Sequence, residues 1–246
     1  HPATPDSSTS RGLGDVYKRQ FPDISTLDNK REFNEHKQIK FGSIGFEDLS
    51  KSASELISFF NTDIFLKYLQ KITGIKETLI SDPYLSGGGY HDIKNGGVLK
   101  VHADFNRHPL LDLDRRVNLL LYLNKNWKEE WGGNLELYSP DDLDRPVVKV
   151  TPEFNRCVIF NTTSYTYHGH PENISCPEEV SRKSIALYFF STGRPNNEVS
   201  AEHSTMWKEV KGEKFSSDPL TMAKFIKLIM PPIILECLKW VQKKVK

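Results

Sequence analysis

Cysteine is scarce in this chain. Its 246 residues hold three, Cys157, Cys176 and Cys237, and no two of them form a Cys-x-x-Cys pair. That argues against a disulfide-stapled secreted module and for a reduced, cytoplasmic protein. In that compartment the Asn-x-Ser/Thr triplets at Asn161 and Asn173 carry no glycosylation meaning. Excess charge of one sign is also missing. Lys and Arg total 33 against 32 Asp and Glu, so no global field draws the chain to nucleic acid or to an anionic membrane. No uninterrupted apolar run approaches the roughly 18 residues that span a bilayer. There is no Gly-x-Ser-x-Gly nucleophile elbow, no Gly-x-Gly-x-x-Gly and no Gly-Lys-Ser/Thr phosphate loop.

What is present divides by texture. Residues 1–20 carry almost no apolar periodicity and are expected to be a disordered lead-in or a cloning scar. Residues 21–246 then form one domain. Between about 47 and 73 apolar residues recur at helical spacing, with a break near Asn61-Thr62 and a stop at Gly74, which predicts two short helices. From about 79 to 192 short alternating segments such as VNLLLYLN, RCVIFNT and SIALYFFS are punctuated by Gly, Pro and Asn. Many short strands of this kind predict an antiparallel sandwich or barrel. A last stretch, about 219–244, returns to helical character around Pro231-Pro232 and either covers the barrel or builds a homodimer interface.

The stretch KVHADFN places His102 and Asp104 two positions apart in a strand, hence on one face. TYHGHP follows another strand, so an imidazole 66 residues away can meet the first two across a sandwich. Two histidines and one carboxylate are the ligand set of the facial triad that holds Fe(II) and leaves three positions open. His168 and His170 share parity, and either can be the third member. Further on, SRKSIALYFFS puts Arg182 and Ser184 on one face and Ile185, Leu187 and Phe189 on the other. An inward guanidinium keeps its charge and needs an anion. A bound dicarboxylate would supply one, with the hydroxyl adding a hydrogen bond.

His102-Ala-Asp104, Tyr122-Leu-Asn124, Gly132-Gly-Asn-Leu135, His168 and Arg182-Lys-Ser184, in that order, resemble the iron(II)/2-oxoglutarate-dependent dioxygenases of the prolyl 4-hydroxylase-like branch. The resemblance covers roughly residues 80–192. It implies a mostly β protein with flanking α-helices around a double-stranded β-helix, the cupin-like jelly roll. It implies Fe(II), 2-oxoglutarate and O2 as the reaction's requirements, with His102, Asp104 and His168 as metal ligands. By position in the strand His168, not His170, matches the distal histidine. Arg182, Ser184 and Tyr122 would take the far carboxylate of 2-oxoglutarate. The reaction implied is hydroxylation of an unactivated C–H bond, with release of succinate and CO2. Because Asp104 is present, hydroxylation is favoured over halogenation.

The primary substrate is not fixed by these motifs. The chain's size favours a small molecule or amino-acid-like compound over a protein, with peptidyl substrates still open. A non-catalytic β-sandwich binding module and a hydrolase built on Ser164 or Ser184 are the competing readings. Residues 87–97, GGGYHDIKNGG, form either a lid that brings Tyr90 or His91 to the pocket or a plain hairpin. Asn106 and Arg107 are candidates for the pocket rim, and Trp127 and Trp131 are expected to pack.

Overall fold

The computed structural model describes residues 21–33 and 38–208. The expectations for 1–20 and for the helical stretch 219–244 lie outside the described residues. Among those described, no helix is long and apolar enough to cross a membrane.

Among the described residues two α-helices lie between the first two strands and the rest. α1 spans Lys51–Phe60, where the Ser50 hydroxyl accepts from the Ala53 amide. α2 spans Asp63–Thr73, capped by Thr62 and ended by Gly74 at φ 73°. The break near Asn61-Thr62 and the glycine stop fall where the sequence placed them, because free amides at a helix start need a side-chain acceptor and a left-handed exit favours glycine.

Twelve strands form two antiparallel sheets. The larger has the order β1 (Lys30–Phe33), β2 (Lys40–Ser43), β4 (Gly89–Ile93), β11 (Arg182–Ser191), β6 (Asp114–Tyr122), β9 (Cys157–Asn161), with β3 (Ile80–Ser81) also pairing β11. The smaller has the order β12 (Met206–Trp207), β5 (Leu99–Ala103), β10 (Tyr167–His170), β7 (Leu135–Ser139), β8 (Asp142–Val150). From β4 to β11 the chain passes back and forth between the sheets, giving central quartets β4-β11-β6-β9 and β5-β10-β7-β8. That is the jelly roll, or double-stranded β-helix, expected from the sequence.

The strand pattern expected for about 79–192 understates the sheets. β1 and β2 extend the larger one at residues 30–43, and β12 closes the edge of the smaller at 206–207. Their short, mixed sequences offer little period-2 signal. Residues 89–93 are also a strand, β4, turning at 94–98 into β5. Because β4 and β5 lie in different sheets, residues 87–97 form neither the expected lid nor the expected hairpin but a strand and the turn that crosses between the sheets.

Directly opposed residues share a face of a sheet, so register sorts the larger sheet into two surfaces. Tyr90, Leu119, Leu121, Ile185, Leu187 and Phe189 pack with Ile57, Phe60 and Leu69 of the helices. This helix-covered face holds the main apolar core. The opposite face carries cross-strand rows Lys40–Ile93–Arg182, Gly42–His91–Ser184–Tyr122 and Tyr188–Asn118–Phe160. The space between the sheets is thus lined by polar and aromatic side chains together with Ile93, Leu99, Leu120 and Leu135, and it is not the main hydrophobic core. Trp127 and Trp131 pack edge to face, 5.4 Å apart, in and against a small separate cluster with Ile174 and Cys176, as expected.

Candidate metal centre

β5 and β10 are hydrogen-bonded neighbours, and their register sets His168 directly opposite His102. Asp104 follows the last residue of β5. The two imidazole rings lie 4.4 Å apart. His102 Nε2 is 3.6 Å from Asp104 Oδ1, and His168 Nε2 is 3.6 Å from Asp104 Oδ2. One ligand atom from each of these residues falls within 4.8 Å of the others, a spacing that can hold a metal ion. His170 is not part of this cluster. It sits beyond a register shift, opposite Leu99.

Each member is prepared chemically. The Lys100 carbonyl accepts a hydrogen bond of 2.7 Å from His102 Nδ1, which leaves the lone pair on Nε2, aimed at the cluster. Burial foremost, with His102, Arg115 and Lys40 adding to it, pushes the His168 pKa down to about 3 against the opposing pull of Asp104. A neutral imidazole is the form that binds metal. Burial alone would raise Asp104. The Arg115 guanidinium outweighs it, together with His168 and His102, and holds the carboxyl well below the ordinary carboxylate range. Arg115 Nη2 lies 3.1 Å from Asp104 Oδ2, and Asn118 Nδ2 donates to the same oxygen at 2.8 Å. Arg115 is itself fully buried, with its guanidinium over the rings of Tyr188 at 3.5 Å and Phe105 at 4.3 Å.

Arg182 and Ser184 line the same small cavity from the larger sheet, and Tyr122, on the same face, meets Arg182 behind them. The cavity, about 160 Å³, is lined by the three cluster residues together with Lys40, His91, Arg115, Asn118, Arg182, Ser184 and Trp207. Arg182 donates from Nε to the Gly133 carbonyl at 2.7 Å and from Nη2 to the Tyr122 hydroxyl at 3.1 Å. No carboxylate pairs with it among the described residues. Ser184 and Tyr122 are opposed across β11 and β6. Burial raises the Tyr122 pKa, with Arg182 pulling the other way, so its hydroxyl stays a donor. Among the described residues Asp104 is the only acid lining the cavity, against the cations Lys40, Arg115 and Arg182. That is a site for an anion with a metal beside it.

Four residues at the site were not singled out from sequence. Asn118 lies four positions before Tyr122, so strand alternation could have found it. Arg115 breaks that parity because a bulge skips Arg116, pairing Phe190 with Arg115 directly after Phe189 with Val117. Lys40 comes from the overlooked β2, and Trp207 from β12. His91 lines the cavity as one branch of the lid reading expected, and its Nε2 contacts the Gly87 carbonyl at 2.9 Å. Tyr90 faces away, with its hydroxyl 3.0 Å from Ser50 Oγ. Arg107 reaches a neighbouring cavity, whereas Asn106 Nδ2 donates to Ser200 Oγ and the Ala201 carbonyl. The Ser164 hydroxyl does meet His203 Nε2 at 2.7 Å, but the other ring nitrogen contacts the Ser204 carbonyl, and no carboxylate stands behind it. A hydrolase triad is not formed there.

Comparison with known proteins agrees with this geometry. Residues 88–190 match the model of the 2OG-Fe(II) oxygenase superfamily. A mouse protein, prolyl 3-hydroxylase OGFOD1, is 35% identical over 79 residues, which is 31% of this chain and 14% of that protein. Its Xenopus laevis counterpart is 29% identical over 129 residues, 51% of this chain and 22% of that protein. The chain therefore spans less than a quarter of the length of the curated relatives it matches. Among solved structures, a Trichoplax adhaerens prolyl hydroxylase in complex with a hypoxia inducible factor peptide aligns with a TM-score of 0.47 at 18% identity, covering 75% of this chain and 77% of that one. The matched segment runs from β4 through nearly all of β11 and contains the whole His102–Asp104–His168 cluster, so residues 88–190, the part of the chain that carries the site, are similar to the 2OG-Fe(II) oxygenase superfamily.

Proposed function

We propose that this protein is an Fe(II)- and 2-oxoglutarate-dependent dioxygenase that hydroxylates an unactivated C–H bond of an amino-acid-like, peptidyl or small-metabolite substrate. The observation that carries the reading is the pairing of two features in one cavity: the His102–Asp104–His168 cluster and an acid-free guanidinium, Arg182, on the facing sheet. A passive sandwich binding module has no reason to hold a neutral His168 imidazole against a carboxyl kept well below the ordinary carboxylate range.

His102, Asp104 and His168 would hold the ion, through Nε2, a carboxylate oxygen and Nε2. Arg182 would take the distal carboxylate of 2-oxoglutarate in its fork, with Ser184 and Tyr122 adding hydroxyl hydrogen bonds. Iron(II) supplies O2 binding and activation, and oxidative decarboxylation of 2-oxoglutarate to succinate and CO2 supplies two electrons. The chain's own residues orient the co-substrate, keep the His168 imidazole unprotonated and hold Asp104 anionic. Arg115 and Asn118 fix the carboxylate so that it presents the same oxygen to each turnover. Cytoplasmic location belongs to the same proposal, in keeping with the free thiols of Cys157 and Cys176.

The test is anaerobic addition of Fe(II) and then 2-oxoglutarate to the full chain, watching for the visible charge-transfer band of the chelate. Asp104→Ala should abolish both the band and succinate release. Undiminished succinate release by that variant would remove the triad assignment.

A further inference from the structure

The cavity between the sheets, about 160 Å³, has room for an ion and a small keto diacid and little else. If the proposed reaction is correct, the molecule to be oxidised must approach from outside it. A second, open cavity of about 840 Å³ adjoins it, and the two share Gly87 and Phe105 in their walls. Gly87 forms the neck. Its φ is 85°, and a Cβ there would stand 3.1 Å from the Tyr188 ring and 3.5 Å from the Phe105 ring. Only glycine keeps this passage clear without strain.

The walls of the outer cavity are built, not loosely draped. His108 is buried, its Nε2 lies 3.1 Å from Asp82 Oδ1, and its Nδ1 accepts from the Leu110 and Leu111 amides. Asp82 in turn accepts from the Tyr84 amide at 2.8 Å and from the Ser86 amide. One imidazole therefore ties the 82–86 wall to the 108–111 wall. The lining is largely apolar, with Tyr84, Leu85, Phe105, Pro109 and Leu110, and it leaves Tyr84 53% and Leu110 67% exposed. Two cations, Arg107 and Arg31, and one acid, Glu202, also line it. Arg107 is paired with Asp112 and Asp114 and has Glu202 nearby. Arg31 differs. Its Nε and Nη2 donate to the Ser43 and Gly88 backbone carbonyls, at 2.5 to 3.1 Å. No carboxylate pairs with it among the described residues, and its Nη1 stands 3.7 Å from the point a Cβ on Gly87 would occupy, at the neck. A half-buried guanidinium cannot shed its charge. It is fixed by carbonyls that leave its formal charge uncancelled, beside an inner site that already carries three cations to one acid.

We infer that the outer cavity is the primary-substrate site and that it selects an acid: an apolar body lying against Tyr84, Phe105 and Leu110, with a carboxylate received by Arg31 at the neck. This rests on the dioxygenase reading but adds a charge requirement which that reading does not contain.

The experiment uses the full chain loaded with Mn(II) and saturating 2-oxoglutarate, so that the inner site is filled. Binding of 4-phenylbutyrate and of its neutral partner 4-phenylbutanamide is measured by calorimetry, with 2-oxoglutarate affinity measured separately. The acid should bind about tenfold tighter than the amide, as one charge-assisted hydrogen bond predicts. Arg31→Gln should bring the two within about twofold while leaving 2-oxoglutarate affinity within the same margin. Tyr84→Ala should weaken both probes alike. Equal affinity for acid and amide, no binding of either, a preference that survives in R31Q, or displacement of the acid by further 2-oxoglutarate would each overturn the inference. If R31Q does not fold, Arg31→Lys must retain the preference and Y84A must weaken both probes, and failure of either overturns it. Loss of 2-oxoglutarate binding by the unaltered protein would instead strike the dioxygenase reading, so the two failures are distinguishable.

Discussion

Asp104 shows how much of the site is arranged before any ion arrives. One of its oxygens accepts from Asn118 and pairs with Arg115, and that same oxygen lies 3.6 Å from His168. Groups that orient a ligand in this way typically alter metal affinity ten- to hundredfold. Asn118→Ala is therefore expected to weaken Co(II) or Fe(II) binding by about that factor, read by equilibrium titration, with the fold retained. Lys40 gives a second test at this scale. Burial first, then Arg31, and further on Arg182 and Arg115, lower its pKa to about 7, against the attraction of Asp104. Above that pH the free protein has a neutral Lys40. A bound dianion favours the charged form, so binding above pH 7 takes up a proton and affinity falls as pH rises. Calorimetry of 2-oxoglutarate with Mn(II) at pH 8, in two buffers of different ionisation enthalpy, should show that uptake. Lys40→Met should remove it.

β11 separates structure from chemistry within ten residues. Its odd positions, Ile185, Leu187 and Phe189, are fully buried under the helices, while Arg182 and Ser184 face the cavity. Leu187→Ala should cost about 2–5 kcal/mol of stability, as truncation of a buried leucine does, measured by denaturant unfolding. Ser184→Ala should leave that unfolding curve nearly in place and weaken 2-oxoglutarate binding about tenfold, in line with loss of a hydrogen bond to a charged group. This division was legible in the sequence, since period-2 alternation in SIALYFFS and KVHADF states both faces at once. What alternation cannot report is a bulge. Skipping Arg116 turns Arg115 inward, and nothing local in DRRVN distinguishes the two arginines. β1 and β2 were equally silent, because four-residue strands at a sheet edge need little apolar periodicity when their neighbour β4 supplies the pairing. The triad itself was readable because its spacing in two strands fixes its geometry, whereas Arg31 acquires its place only through tertiary contacts.

At the scale of the whole domain the molecule has three layers: helices, the larger sheet, and the smaller sheet across a polar gap. The outer cavity depends on the His108 tie between two loops. His108→Ala would leave two amides and one carboxylate oxygen without their partner, at about 1–3 kcal/mol. Hydrogen exchange should quicken at 82–86 and 108–111 while metal affinity at the His102–Asp104–His168 cluster persists. Unchanged exchange in both loops would mean that the walls stand without that bond.

The apolar core lies outside the sandwich, beneath the helices, instead of between its sheets. Replacements in the gap, or along the outer walls other than at Leu85, which belongs to that core, therefore leave the main folding contacts untouched. Evolution, or an engineer, can redraw what this scaffold accepts while the part that makes it fold stays as it is.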